Sequence, residues 1–111
     1  KKGKFIMSTK TIMLVCAAGM STSMLVTKMQ KAAESEGIET DIFAVSANEA
    51  DNYLASKPVD VLLLGPQVKF LKKQMETKVE GKDIPVEVID MRDYGMMNGK
   101  NVLDKALSLS K

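Results

Sequence analysis

The sequence predicts one α/β domain in three layers: a four-stranded parallel sheet with helices on both faces. Three observations carry that reading. Apolar runs of strand length alternate along the chain with segments of helical spacing. Two of those runs, Ile12-Met13-Leu14-Val15 and Val61-Leu62-Leu63-Leu64, are apolar without interruption, as strands covered on both faces must be. With 111 residues, 45% of them hydrophobic and 27% charged, the chain has length for one core and not for two.

Taken in order, the first strand, 12–15, ends at Cys16, the only cysteine, and runs into Ala17-Ala18-Gly19-Met20-Ser21-Thr22-Ser23. A helix over about 22–36 follows. Leu25, Met29, Ala32 and Ala33 share its core face, Gly37 closes it, and Met24 lies off that face beside Lys28 and Lys31. A second strand is expected at 40–45, and Ser46-Ala47-Asn48-Glu49 reads as a capping box for a short helix to about Ser56. The third strand, 59–64, leads into the turn Gly65-Pro66-Gln67, with Pro66 suited to a first helical position. Val68, Leu71, Met75 and Val79 then mark the core face of a helix ending at Gly81. A fourth strand at 85–89, a loop at 90–99 and a last helix at about 101–109 complete the chain.

The second strand carries Thr40 and Asp41 and the fourth carries Pro85 and Glu87, so these two are edges and the first and third are central. Right-handed crossovers then give the order 2-1-3-4. The chain reverses direction between strands one and three, and the crevice beyond their carboxyl ends is the expected ligand site. Cys16, the Gly65-Pro66-Gln67 turn and the 90–99 loop all fall on that rim. Small residues after Cys16 let backbone N–H groups approach a ligand closely, and the helix start adds unpaired donors that favour an anion. The same field favours thiolate over thiol. The loop is therefore read as a nucleophilic sulfur in a phosphate-sized cradle.

Composition excludes several other chemistries. The net charge of +2 comes with scattered lysines, which argues against nucleic acid. The absence of histidine removes the commonest general base and metal ligand, and no metal or cofactor is expected. A lone cysteine forms no internal disulfide, which suits a reducing cytoplasm. The apolar run between Lys10 and Cys16 falls short of the roughly 7–15 residues of an export signal, and no stretch approaches the ~20 of a membrane span. A soluble domain of residues 7–111 without direct membrane insertion is expected, with 1–6 a remnant or poorly ordered lead. There is no Gly-Lys-Ser/Thr ending after Gly19, no dinucleotide fingerprint and no Cys-x-x-Cys pair. A receiver domain's aspartate is also missing, since the third strand ends in Leu64-Gly65 and Asp60 is at its other end. The loop follows the cysteine-phosphatase spacing of cysteine, five residues, arginine, except that Thr22 stands where the arginine belongs. Arginine would clamp the phosphoryl group and stabilise the transition state for its hydrolysis. Without it the loop should hold a phosphocysteine but turn it over poorly, which describes a carrier.

Three stretches make the pattern specific: Ile12-Met13-Leu14-Val15-Cys16-Ala17-Ala18-Gly19-Met20-Ser21-Thr22-Ser23, Leu62-Leu63-Leu64-Gly65-Pro66-Gln67-Val68 and Tyr94-Gly95-Met96-Met97-Asn98-Gly99. With them the chain resembles the IIB component of the bacterial phosphoenolpyruvate-dependent sugar phosphotransferase system, lactose/cellobiose family, most like the cellobiose/chitobiose type. The resemblance implies the same four-stranded sheet and a phosphotransferase activity. It implies that Cys16 takes a phosphoryl group from a phosphohistidine of the IIA component while Ala17 to Ser23 hold its oxygens. The group then passes to a sugar, a beta-linked disaccharide such as cellobiose, chitobiose or lactose, bound by the membrane-embedded IIC component. A cytoplasmic protein visiting the membrane through IIC is implied.

The residues alone leave rivals open. Cys16 also suits a small cysteine phosphatase or arsenate-type reductase, or a noncatalytic binding domain in which the thiol is structural. Met20 and Met24 either fill gaps or join Phe70 in an apolar docking rim around Cys16, to which Pro66, Gln67 and Tyr94 are also assigned. Tyr94 alternatively packs against the last helix. Asp90 and Asp93 read as a solvated turn, or in a phosphatase as the leaving-group acid. Lys69, Lys72 and Lys73 read as a solvated helix face.

Overall fold

β1 (Lys10–Cys16) is the strand on which the others align. The computed structural model describes residues 9–16, 20–56 and 58–110, so the lead at 1–6 lies outside the described residues. β1 pairs in parallel with β2 (Thr40–Ser46) on one side and β3 (Val61–Leu64) on the other, and β4 (Val86–Val88) pairs in parallel with β3. The order is β2-β1-β3-β4, as strand polarity predicts. In this register Leu14 lies between Ala44 and Leu63, so the two fully apolar strands sit side by side at the centre.

Alternation along the strands divides the core in two. Ile12, Leu14, Ile42, Val61 and Leu63 face a layer made by α1 (Met20–Ser35), α4 (Met91–Gly95) and α5 (Gly99–Leu109). Met13, Val15, Val45, Leu62 and Leu64 face a second layer, made by α2 (Ala50–Ser56), a 3-10 segment over Pro66–Leu71 and α3 (Lys72–Lys78). Each fully buried Leu, Ile or Met contributes roughly 1.5–3 kcal/mol by leaving water. Leu25, Met29 and Ala33 are buried on α1 as their spacing requires, while Met24 stands out of the core.

Several local expectations are corrected. Ser46 and Glu49 form no reciprocal capping box: the Ser46 hydroxyl donates to Glu49 Oε1 at 3.4 Å and no side chain caps a backbone amide. The chain enters α2 through a 3-10 turn, Ala47–Glu49, instead. The helix after Pro66 is not continuous. Val68 donates its N–H to the Gly65 carbonyl at 3.0 Å and adopts φ −119°, ψ 26°, which closes a tight turn and delays α-helix until Lys72. The third strand starts at Val61, because Asp60 is used as an anchor: its carboxylate accepts from Thr11 N at 2.7 Å while its own N–H donates to Thr11 O at 2.8 Å.

The 90–99 stretch is not a loop. Asp90 caps α4, its Oδ1 accepting from Arg92 N at 2.8 Å and Asp93 N at 3.4 Å. The helix ends in a Schellman turn, with Met97 N–H donating to the Tyr94 carbonyl and Asn98 N–H to the Asp93 carbonyl. α1 ends in the same turn, in which Gly37 and Ile38 donate to Glu34 and Ala33. There the left-handed residue is Gly37 at φ +70°; in α4 it is Met97 at φ 54°. Asn98 then caps α5 by accepting from Asn101 N at 3.2 Å, so the last helix starts at Gly99.

Candidate functional site

Cys16 is the last residue of the central strand, and α1 begins four positions later at Met20. The expected phosphate-holding residues Ala17, Ala18 and Gly19 lie outside the described residues, as do the side chains of Met20 and Ser21. What the structure places is the sulfur itself. Cys16 follows the Ile12, Leu14 alternation and turns toward the α1 layer. There the buried Thr22 hydroxyl donates to Sγ at 3.1 Å. The thiol also lies 3.7 Å from the Val45 carbonyl oxygen of the neighbouring strand. Cys16 is 1% exposed and Thr22 is 0% exposed, so this hydrogen bond is shielded from water.

The end of β3 closes the other side. A Cβ built on Gly65 would lie 3.2 Å from Gln67 Oε1 and 3.8 Å from Cys16 Cβ. The turn after the third strand thus sits directly against the cysteine, and a bare glycine is what lets the Gln67 side chain fold back over that contact. Ser23, on the next position of α1, is exposed, and its carbonyl accepts from the Thr27 hydroxyl at 3.2 Å. The crevice read from strand order therefore brings together Cys16, Thr22, Gly65 and Gln67.

The residues assigned to the rim divide by exposure. Met24 and Phe70 are 62% and 75% exposed, and Gln67 is exposed. Pro66 and Tyr94 lie inside, Tyr94 packing against the last helix, one of the two placements its position allowed. Pro66 is buried at the first position of its 3-10 segment. Tyr94 belongs to the core beneath α1 and α5, because α4 turns its ring inward, and its hydroxyl is buried with no hydrogen-bond partner among the described residues. In exchange α4 exposes Met91, and its C-cap exposes Met96, both of which sequence reasoning missed. The signal was present: Asp90, with Asp93 three residues on, is a helix-start pattern. Asp90 is thus a cap, and Asp93 accepts from Asn101 Nδ2 at 3.2 Å. Both line a cavity of about 220 Å³ with Lys105. Among the helix lysines, Lys69 and Lys73 are exposed as expected, whereas Lys72 lies 3.5 Å from Glu87 of β4.

With the geometry in place, comparison with known proteins decides the class. A family model described as "PTS system, Lactose/Cellobiose specific IIB subunit" matches residues 11–105. The chain belongs to the lactose/cellobiose-specific IIB family. Two relatives from Lactococcus lactis are each 54% identical over 106 residues, covering 93% of this chain and 98% of theirs. One is the galactose-specific EIIB component of subspecies cremoris strain MG1363, the other the cellobiose-specific EIIB component of subspecies lactis strain IL1403. The solution structure of the cellobiose-specific phosphotransferase IIB component from Borrelia burgdorferi superposes with a TM-score of 0.75 at 42% identity, covering 93% of each chain. As a IIB component the chain is a phosphoryl carrier with phosphotransferase activity, working in a system that also has IIA and IIC components. That resolves the choice between carrier, phosphatase and structural domain. No helix among the described residues is long and apolar enough to cross a membrane.

Proposed function

We propose that Cys16 is the phosphoryl-accepting residue. Its thiolate attacks the phosphorus of a IIA phosphohistidine; an S–P bond forms as the N–P bond breaks. The bonding pair stays on the histidine nitrogen, which ends with the proton the thiol gives up. In the second half-reaction a sugar hydroxyl held by membrane IIC takes the phosphoryl group, the S–P pair returns to sulfur, and the hydroxyl proton leaves with it. The observation that carries this reading is the position of Sγ at the carboxyl end of the central strand, in hydrogen bond with a buried hydroxyl on the helix that starts there. The backbone amides of Ala17 to Ser23 supply the donors for the phosphoryl oxygens in this reading, and the exposed Met24, Gln67 and Phe70 form the surface on which IIA and IIC seat. The protein visits the membrane only through IIC.

The sugar is a beta-linked disaccharide in this reading, of the cellobiose, chitobiose or lactose kind. The L. lactis relatives, equally similar to this chain, carry galactose and cellobiose in their names, so overall identity does not select among sugars. The experiment is intact mass after incubation with phosphoenolpyruvate, the general phosphotransfer proteins and IIA. A gain of about 80 Da that requires IIA and is lost in Cys16→Ala supports the assignment. An unmodified wild type with all donors shown active overturns it.

A further inference from the structure

Among the described residues two polar groups face the Cys16 sulfur, and they favour opposite states of it. The Val45 carbonyl, 3.7 Å away, can only accept, so it suits the S–H form and opposes a bare sulfur anion. The Thr22 hydroxyl, 3.1 Å away, donates, and such a bond strengthens when its acceptor becomes charged. Both side chains are buried, so water is a poor substitute for either contact.

We infer that the Thr22 hydroxyl carries the Cys16 sulfur through its charged form in both half-reactions, acting on sulfur and not on the phosphoryl oxygens. The inference rests on Cys16 being the phosphoryl acceptor. Negative charge sits on sulfur just before the S–P bond forms and returns to it as that bond breaks. In the phosphocysteine between, sulfur is a weak acceptor with little charge, so the Thr22 bond contributes least there. The hydroxyl therefore lowers the barrier into the intermediate and the barrier out of it, and leaves the intermediate's own stability almost unchanged. A residue that held the phosphoryl oxygens would behave differently. It would stabilise the intermediate itself, and its loss would reduce the phosphorylated fraction at equilibrium.

That difference is the test. Thr22→Val keeps the shape and deletes the donor, Thr22→Ala deletes it with a smaller side chain should valine prevent folding, and Thr22→Ser restores a hydroxyl. Each is equilibrated with phospho-IIA, and the rate of phosphate gain, the rate of back transfer to unphosphorylated IIA and the final phosphorylated fraction are followed by intact mass. The valine chain is expected to lose about ten- to a hundredfold in both rates, the span of a hydrogen bond to a charged group, with the final fraction held or raised, since the deleted bond belongs to the unphosphorylated sulfur. Serine is expected to recover most of the loss. In parallel, alkylation of Cys16 by iodoacetamide at one fixed pH is expected to slow in valine and recover in serine. A lowered final fraction moves Thr22 onto the phosphoryl group and overturns the inference. Unchanged rates overturn it too, as does a serine chain no faster than valine. A wild type that never gains phosphate overturns the assignment of Cys16 instead, and the alkylation series then still reports whether Thr22 favours the thiolate.

Discussion

On one face of the sheet α1 and α5, 16 and 11 residues long, pack directly against each other; on the other, α2 and α3 have 7 residues each and are entered through 3-10 turns. The first layer is joined backbone to backbone. A Cβ on Gly99 would lie 2.5 Å from the Lys28 carbonyl carbon and 2.7 Å from Met29 N, so α5 starts in contact with the middle of α1. Helices of 7 residues have little stability of their own, and the second layer is held by individual side chains such as Leu54, Val68, Met75 and Val79. The difference bears on function, because Thr22 rides on the rigid layer while Gly65 and Gln67 belong to the side-chain-held one. The sulfur sits where they meet.

The sharpest way to break this comparison is Gly99→Ala. The new methyl meets backbone, which cannot swing aside, so the helices must separate; a loss of about 3 kcal/mol or more is expected from overpacking. Urea unfolding measures it, and phosphoryl gain from IIA should slow as well, since α1 carries Thr22. A near-neutral effect would mean the two helices are not locked together. Next come Leu103→Ala in the first layer and Met75→Ala in the second, both fully buried. Each is expected to cost roughly 2–5 kcal/mol, with Leu103 the larger because the short helices around Met75 can close on the space it leaves. If Met75→Ala costs more, the second layer is the more rigidly packed and the comparison reverses. Smaller again, Asp90→Ala should cost about 1 kcal/mol through the lost cap on α4, while Ser46→Ala, which caps no amide, should change stability by only a few tenths of a kcal/mol. Thermal melts of the two variants side by side check that contrast.

The same comparison explains what the sequence made legible. Strand order followed from polarity: the apolar runs at 12–15 and 61–64 had to be central, and Cys16 and Gly65 therefore had to meet. The long helix α1 was legible because Gly37 announces its Schellman end. α4 ends in the same hydrogen-bond pattern, but with Met97 in the left-handed position its sequence carries no stop signal, and the stretch reads as a loop. With α4 hidden, the inward turn of Tyr94 and the exposure of Met91 and Met96 were hidden too. The capping box at Ser46 failed for a related reason: its residues fit the pattern, but their side chains bond each other and a 3-10 turn takes the helix start. At the site, spacing brought Cys16, Thr22 and Gly65 to the same rim. It does not say which atom a hydroxyl touches, and the Thr22 bond to sulfur needed coordinates.

The smallest expected effect tests whether charge adds to the backbone lock of the first layer. Lys100, on the first turn of α5, reaches Asp104 Oδ2 at 2.9 Å on its own helix and Glu36 Oε2 at 3.4 Å just past the end of α1. Its hydrogen bonds, to Asp104 first and Glu36 second, hold the ammonium above the ordinary lysine value of 10.5. The folded state therefore binds this proton more tightly than the unfolded one. The contribution is complete below pH about 10.5 and disappears as pH climbs through the higher folded value, the opposite sense to a paired carboxylate. The side chain is exposed, however, so solvent and salt screen both contacts. Lys100→Met should thus leave the urea midpoint at neutral pH nearly unchanged in moderate salt. A small deficit should emerge at low ionic strength and vanish as pH climbs past the raised folded value of the lysine. A deficit that ignores both salt and pH would show that the lysine stem packs across the two helices, and that the α1–α5 contact is wider than its backbone core.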